Sequence, residues 1–294
     1  MNAPRPPVRI RIREVPAAAG IFWIRRGLRA FMRQPGGFIV MFLLFLFAML
    51  LLAIALSPAP PVAQYLGVIL LPLLSLGYMI GTEAVMNDLP VRPTMLFDAI
   101  APDGPARRAL AYIGLFYVAS FAGVYLIGDS LDGGEARRWM ETALAPQTPG
   151  APVEPPPLSA MGVFVLFLRS FGVSLVSLPL WHAPALIHWG RQGVAQAMFS
   201  SIVALWRTRA AFAVYVLSGC ALMLGCSVML ALVTIVVQSA ELALLLALPL
   251  GLVGCVVFYV TLWFGFVDTF EITPLVAAPA AGDRSSLDDA ASSK

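Results

Sequence analysis

Charge is what this sequence has least of. Only 12% of its 294 residues are charged and 60% are hydrophobic, whereas a soluble globular domain carries about 25% charge. A water-soluble fold could not hide so much apolar surface, so the solvent must be lipid. Lysine is nearly missing: Lys294 stands alone beside eighteen arginines. With Ala and Pro abundant, that reads as a bacterial composition bias. The net charge of +3 is too small to indicate an acidic macromolecule, and no nucleic-acid partner is expected.

Groups that carry chemistry are scarce as well. Cys220, Cys226 and Cys255 all fall inside apolar runs, without a CxxC pair or a Cys/His cluster, and read as small packing residues. His182 and His188 are six residues apart. On a helix that separates them by about 240°, so one face cannot present both. Pro184 interrupts the segment, no acid lies within it, and neither a metal nor a cofactor is expected there. Flanked by Trp181 and Trp189, the two histidines read as interfacial residues. No GxSxG elbow, HExxH or phosphate-binding glycine loop occurs, and the serines lack a partnered base. No catalytic residue is assigned and enzymatic activity is not expected. The basic N-terminus is followed by no short apolar segment with a small-residue cleavage site, so no cleavable signal peptide is expected.

What the sequence does have is long apolar runs. A membrane span needs about 20 predominantly apolar residues, and six segments qualify: Gly37–Leu56, Val62–Thr82, Ala109–Gly128, Leu158–Leu180, Ala210–Val237 and Leu242–Val267. The fold class is therefore all-α, a polytopic transmembrane bundle over residues 20–269. A cytoplasmic N-terminal tail (1–19) precedes it and a disordered cytoplasmic C-terminal tail (270–294) follows. Arginine and lysine decide the orientation. One side collects sixteen of them, in the N-terminal tail, the second and fourth connections and the C-terminal tail. The other side holds only Arg137 and Arg138. Both termini are expected in the cytoplasm, with the chain in a bacterial inner membrane.

The third connection, 129–157, is the one long external segment. It closes on Pro146, Pro149, Pro152 and Pro155 through Pro157, a spacing that lines one edge of a polyproline II strut. It reads as a stiff spacer, with docking of an external partner as the sharper alternative.

A repeat is also visible. Gly20–Gln34 places Ile21, Ile24, Leu28, Phe31 and Met32 at helical spacing beside Arg25, Arg26, Arg29 and Arg33. That is the pattern of an amphipathic helix in the membrane interface, with its basic side toward anionic headgroups. Residues 192–207 repeat the device, with Ala195, Met198, Phe199, Ile202, Leu205 and Trp206 as the apolar stripe. The junction Ala30-Phe31-Met32-Arg33 before Phe38-Ile39-Val40 aligns without gaps with Ala204-Leu205-Trp206-Arg207 before Phe212-Ala213-Val214. A shorter candidate, 94–101, precedes the third span, giving an interfacial helix followed by a hairpin three times over.

Trp23, Gly27, Phe31 and Pro35 form W-x3-G-x3-F-x3-P on the helix before a span. This resembles a broad group of uncharacterised proteobacterial inner-membrane proteins with six helices. More distantly it is similar to the membrane domain attached to some glycerophosphodiester phosphodiesterases, whose activity resides in a separate soluble barrel. The resemblance implies six spans over residues 20–268 and no activity that can be carried over.

Within the spans, Gly77-x3-Gly81 and Ala221-x3-Gly225 let helices approach closely, inside one chain or between two in a homodimer. Pro72 and Pro249 are expected to kink spans two and six. Arg169, at the centre of its span, must face the bundle interior or a wet cavity. Ser170 and Ser174 extend a polar stripe that could line the same contact. Two readings stand for the trio: a site for an anionic group such as a lipid phosphate, or a structural lock made through backbone carbonyls and tyrosine hydroxyls. The candidate counter-ions Glu83, Asp88, Asp129 and Asp268 all lie near span ends, so Arg169 reaches one only by extending its side chain toward the interface. The function expected is non-catalytic: binding of membrane lipids through Arg25, Arg26, Arg29 and Arg33, or of a protein partner, in the cell envelope. A small-solute or anion transporter is the alternative.

Overall fold

The computed structural model describes residues 8–58, 60–98, 104–144, 157–238 and 240–274. Strand β1 (Val8–Ile12) leads into helices α1 (Ala19–Arg33), α2 (Pro35–Ala55), α3 (Pro60–Met86), α4 (Met95–Asp98), α5 (Gly104–Asp132) and α6 (Glu135–Leu144). They are followed by α7 (Ala160–Ser177), a 3-10 turn at Leu178–Leu180, α8 (Ala183–His188), α9 (Val194–Arg207), α10 (Arg209–Val237), α11 (Ala240–Thr269) and strand β2 (Phe270–Pro274). Six helical stretches are long and apolar enough to cross a membrane: 35–55, 66–86, 107–132, 160–188, 209–237 and 245–269. The chain is an all-α, multi-pass helical bundle. Pro72 and Pro249 lie inside α3 and α11, and both helices continue through them.

The two ends of the described chain meet. β1 and β2 pair antiparallel, Ile10 opposite Ile272 and Ile12 opposite Phe270, so residues 8–12 and 270–274 lie together at one end of the bundle, called here the near side. This corrects the expectation that disorder begins at residue 270: residues 270–274 form a strand, because VRIRI and FEITP both alternate apolar and polar side chains with the period of a half-buried strand. Residues 275–294 lie outside the described residues. The third connection, expected to be external, likewise begins with structure, since α5 runs on to Asp132 and α6 fills 135–144. The expected proline strut, Pro146 through Pro157, lies outside the described residues except for Pro157.

Burial is concentrated toward the near side. In α2 the buried side chains are Phe38 and Met41, close to its start, and in α10 Ala211 and Tyr215. The buried side chains of α11 fall between Val256 and Thr269, and those of α3 around Leu74, Leu76, Tyr78 and Met79. Tyr78 stacks on Phe38 and Tyr259, and its hydroxyl donates to the Phe38 carbonyl at 2.7 Å. Toward the far side the apolar side chains face outward: Phe47 and Ile54 in α2, Leu224 to Val237 in α10, and Leu245 and Leu248 in α11. Lipid is as apolar as leucine, so such surfaces need no protein cover.

The repeat is legible in the burial. A single residue, Gln34, separates α1 from α2, and a single residue, Thr208, separates α9 from α10. Trp23, Gly27, Ala30 and Phe31 are buried on α1, and the aligned Ala197, Ser201, Ala204 and Leu205 on α9. The aligned Met32 and Trp206 are both strongly exposed. The stripes read from sequence are divided by this packing. On α1, Phe31 goes inside while Ile21, Leu28 and Met32 stay outside; on α9, Leu205 goes inside while Phe199, Ile202 and Trp206 stay outside. A helix with protein on one side and lipid on the other is apolar on both, and periodicity does not say which is which.

Candidate membrane-surface site and the buried arginine

The W-x3-G-x3-F motif proves to be the inner face of α1. Residues four apart climb one side of a helix, and that side packs on α10 and α11. Gly27 lies directly against Thr261, where a Cβ would collide with both the backbone and the side chain of that residue. Trp23 packs on Tyr215, and its indole N–H donates to Asp268 at 2.9 Å. Arg26, three residues on and therefore on the same side, pairs with the same carboxylate at 3.0 Å. At the end of the helix the Gln34 amide clamps the segment after α3. Its Nε2 donates to the Leu89 carbonyl at 3.0 Å, and its Oε1 accepts from the Val91 N–H at 2.7 Å.

The four arginines are therefore not equivalent. Arg26 is committed to Asp268, at the inner edge of the exposed face. Arg25 and Arg29 point outward, and Arg33 approaches the highly exposed Asp88 only at 3.8 Å. The outward face of α1 thus combines Arg25, Arg29 and Arg33 with the exposed Ile21, Leu28 and Met32. Such a surface can rest in a membrane interface, with guanidinium groups at headgroup level and apolar side chains in the acyl region.

Arg169 lies on α7 and is buried, 3% exposed. Nη2 is 2.5 Å from Asp129 Oδ1, and the guanidinium stands over the Tyr125 ring, 5.0 Å from its centroid. Backbone carbonyls and tyrosine hydroxyls are not its partners; Nε and Nη1 have no hydrogen-bond partner among the described residues. Ser159 and Glu135 touch, with the Ser159 N–H donating to Glu135 at 2.7 Å. Gly128 makes room: a Cβ there would fall 2.6 Å from Arg169 Nε. Asp129 also pairs with Arg137 at 3.4 Å, and Arg137 with Glu141 at 3.2 Å. The hydrogen bonds from Ser159 hold the Glu135 carboxyl below the ordinary glutamate range.

Ser170 and Ser174 are not brought to this site. Both are exposed, and their hydroxyls donate to the carbonyls of Leu166 and Ser170 on their own helix. Ser170 follows Arg169 by one residue and so points about 100° away. His182 also departs from expectation. It is buried, with its ring against Phe266 and Phe270, because the 3-10 turn and Pro184 carry Ala183–Ile187 into the core. His188 is half-buried, edge-on to Trp189 at 4.7 Å. Gly77 and Gly81 pack inside the chain, against Leu96 and against Phe38 and Met41 respectively; Gly225 meets nothing within 4 Å. Among the described residues, no group of three or more His, Cys, Asp or Glu is placed to hold a metal ion. The residues that sequence reasoning missed are acceptors, chiefly Asp268 for Trp23 and Arg26. The one available signal was the i, i+3 spacing of that Trp and Arg.

No family model matches the chain, and no solved structure matches it. A protein of Burkholderia thailandensis named "Probable inner membrane protein" is 29% identical over 261 residues, which cover 88% of this chain and 93% of that protein. The similarity extends over most of the chain. None of these comparisons supports the likeness to the phosphodiesterase membrane domain.

Proposed function

We propose that the protein is a non-catalytic resident of the bacterial inner membrane, with both termini in the cytoplasm, that binds anionic phospholipid through α1. The observation that carries this reading is the division of α1. One face is fastened to the bundle by Trp23, Gly27 and the Arg26–Asp268 pair, while Arg25, Arg29 and Arg33 remain outward beside exposed apolar side chains. A helix held in this way presents its arginines to headgroups without first having to fold. The location is supported by the name of the Burkholderia relative, and the orientation by the sixteen-to-two division of basic residues. Arg169 weighs against an anion transporter, because Asp129 already neutralises it.

The test uses the full chain in nanodiscs of phosphatidylcholine with and without phosphatidylglycerol, counting retained lipids by native mass spectrometry. A basic residue near an anionic surface contributes about 1 kcal/mol. Replacing Arg25, Arg29 and Arg33 with Gln should therefore weaken phosphatidylglycerol retention about a hundredfold and remove its salt dependence. Arg26→Gln should lower stability and leave lipid preference intact. Retention unchanged in the triple variant would sink the reading. Reporter fusions at Ala145 and after Ala280 should report opposite sides of the membrane.

A further inference from the structure

The other interfacial helix carries a surface of different chemistry. On α9, Phe199, Ile202 and Trp206 share one outward face and are 68%, 48% and 70% exposed. Arg209, the first residue of α10, lays its guanidinium over the Trp206 ring, 5.3 Å from the centroid. Arg207 and Arg209 enter no ion pair among the described residues. The sequence explains why: no Asp or Glu occurs between Glu154 and Glu241, so this part of the chain has no acid of its own to offer. The inward face of the helix is already used, with Ala197, Ser201, Ala204 and Leu205 buried against the bundle. The Ser201 hydroxyl accepts from the His182 N–H at 3.1 Å.

We propose that Phe199, Ile202 and Trp206, with Arg207 and Arg209, form a second docking surface for anionic phospholipid. The lipid phosphate would be held by the two arginines and its upper acyl region would lie along the three apolar side chains. Charge complementarity selects the occupant. A second copy of the chain would bring two further unpaired arginines to the same patch, and an apolar helix would leave both guanidinium groups without a counter-ion. A lipid supplies a phosphodiester at the level of the arginines and hydrocarbon beside it. Tryptophan is suited to that boundary, because its ring is apolar and its N–H is polar. The cation–π stack holds the Arg209 guanidinium at the rim of the apolar strip instead of leaving it to wander in water.

The inference rests on the proposed contact of the near side with an anionic leaflet, and the experiment separates the two. The full chain is reconstituted with brominated phosphatidylglycerol or brominated phosphatidylcholine, and the Trp206 signal is taken as the difference between wild type and Trp206→Phe. Severalfold stronger quenching by the brominated phosphatidylglycerol is expected. That preference should disappear in Arg207→Gln/Arg209→Gln, survive in Arg25→Gln/Arg29→Gln/Arg33→Gln, and persist when inorganic phosphate is added. Equal quenching by the two lipids overturns the proposal, as does relief by free phosphate. A blue-shifted Trp206 that neither lipid quenches also overturns it and identifies a protein contact in its place. If the preference is lost in both sets of variants, the two helices report one shared surface and the independent α9 site is rejected. These side chains are exposed, so unchanged melting of the variants confirms that quenching reads binding and not unfolding.

Discussion

The near and far ends of this bundle follow different rules. At the near end, aromatic side chains stack (Phe38, Tyr78, Tyr259), small residues admit neighbouring helices (Gly27 on Thr261), and hydrogen bonds connect distant segments (Trp23 and Arg26 to Asp268, Gln34 to residues 89–91). At the far end, α10 and α11 present leucine, valine and isoleucine outward. The lesson is about solvent. Where the chain must meet headgroups and water, polar groups need defined partners; in hydrocarbon an apolar helix is already satisfied. The far end of α5 and α7 is the exception, and it has a reason: α7 carries a charge, so Asp129, Tyr125 and Arg137 gather around it.

One helix contains the sharpest test of this contrast. Phe38 and Phe47 both lie on α2, the first fully buried and the second 56% exposed. Phe38→Ala should cost about 3 kcal/mol and Phe47→Ala within about 0.5 kcal/mol, measured as unfolding of the purified protein in mild detergent. Equal costs would dissolve the distinction between the two ends. At the exceptional far-side site the two partners should differ. Asp129→Leu strands a buried arginine and should cost about 3 kcal/mol. Arg169→Leu leaves Asp129 paired with Arg137 and should cost less, about 2 kcal/mol. Arg169→Lys should not restore full stability, since an ammonium cannot match the guanidinium over the Tyr125 ring.

A smaller effect follows from pH. Hydrogen bonds from Ser159 depress the Glu135 carboxyl, so its contribution is fully present above the ordinary glutamate value, about 4.3, and is lost as pH falls through the lowered one. Protection of the α6 amides against exchange should therefore fall in acid relative to that of α1 as pH drops through the lowered value, and Glu135→Gln should remove the difference. The smallest effect belongs to α10, where Leu232→Ala should shift the unfolding midpoint hardly at all, within about 0.5 kcal/mol. A large loss there would mean that another helix covers this face in solution.

The sequence by itself determined that the chain is a six-span helical membrane protein, because scarcity of charge and runs of about 20 apolar residues admit little else. It also determined the aligned units ending at Arg33 and Arg207, since residue spacing survives folding unchanged. It marked Arg169 as a residue needing a partner, on grounds of cost alone. Only the tertiary structure decided which apolar face of α1 meets protein, that Arg26 belongs with Asp268 while its three neighbours look outward, and that Ser170 and Ser174 turn away from Arg169. It also brought residues 8–12 and 270–274 into one ribbon and buried His182. Lipid and protein interior are equally apolar, so hydropathy cannot tell them apart. Contacts between residues some 250 positions apart, such as Trp23 with Asp268, are set by how helices cross and leave no mark in local periodicity.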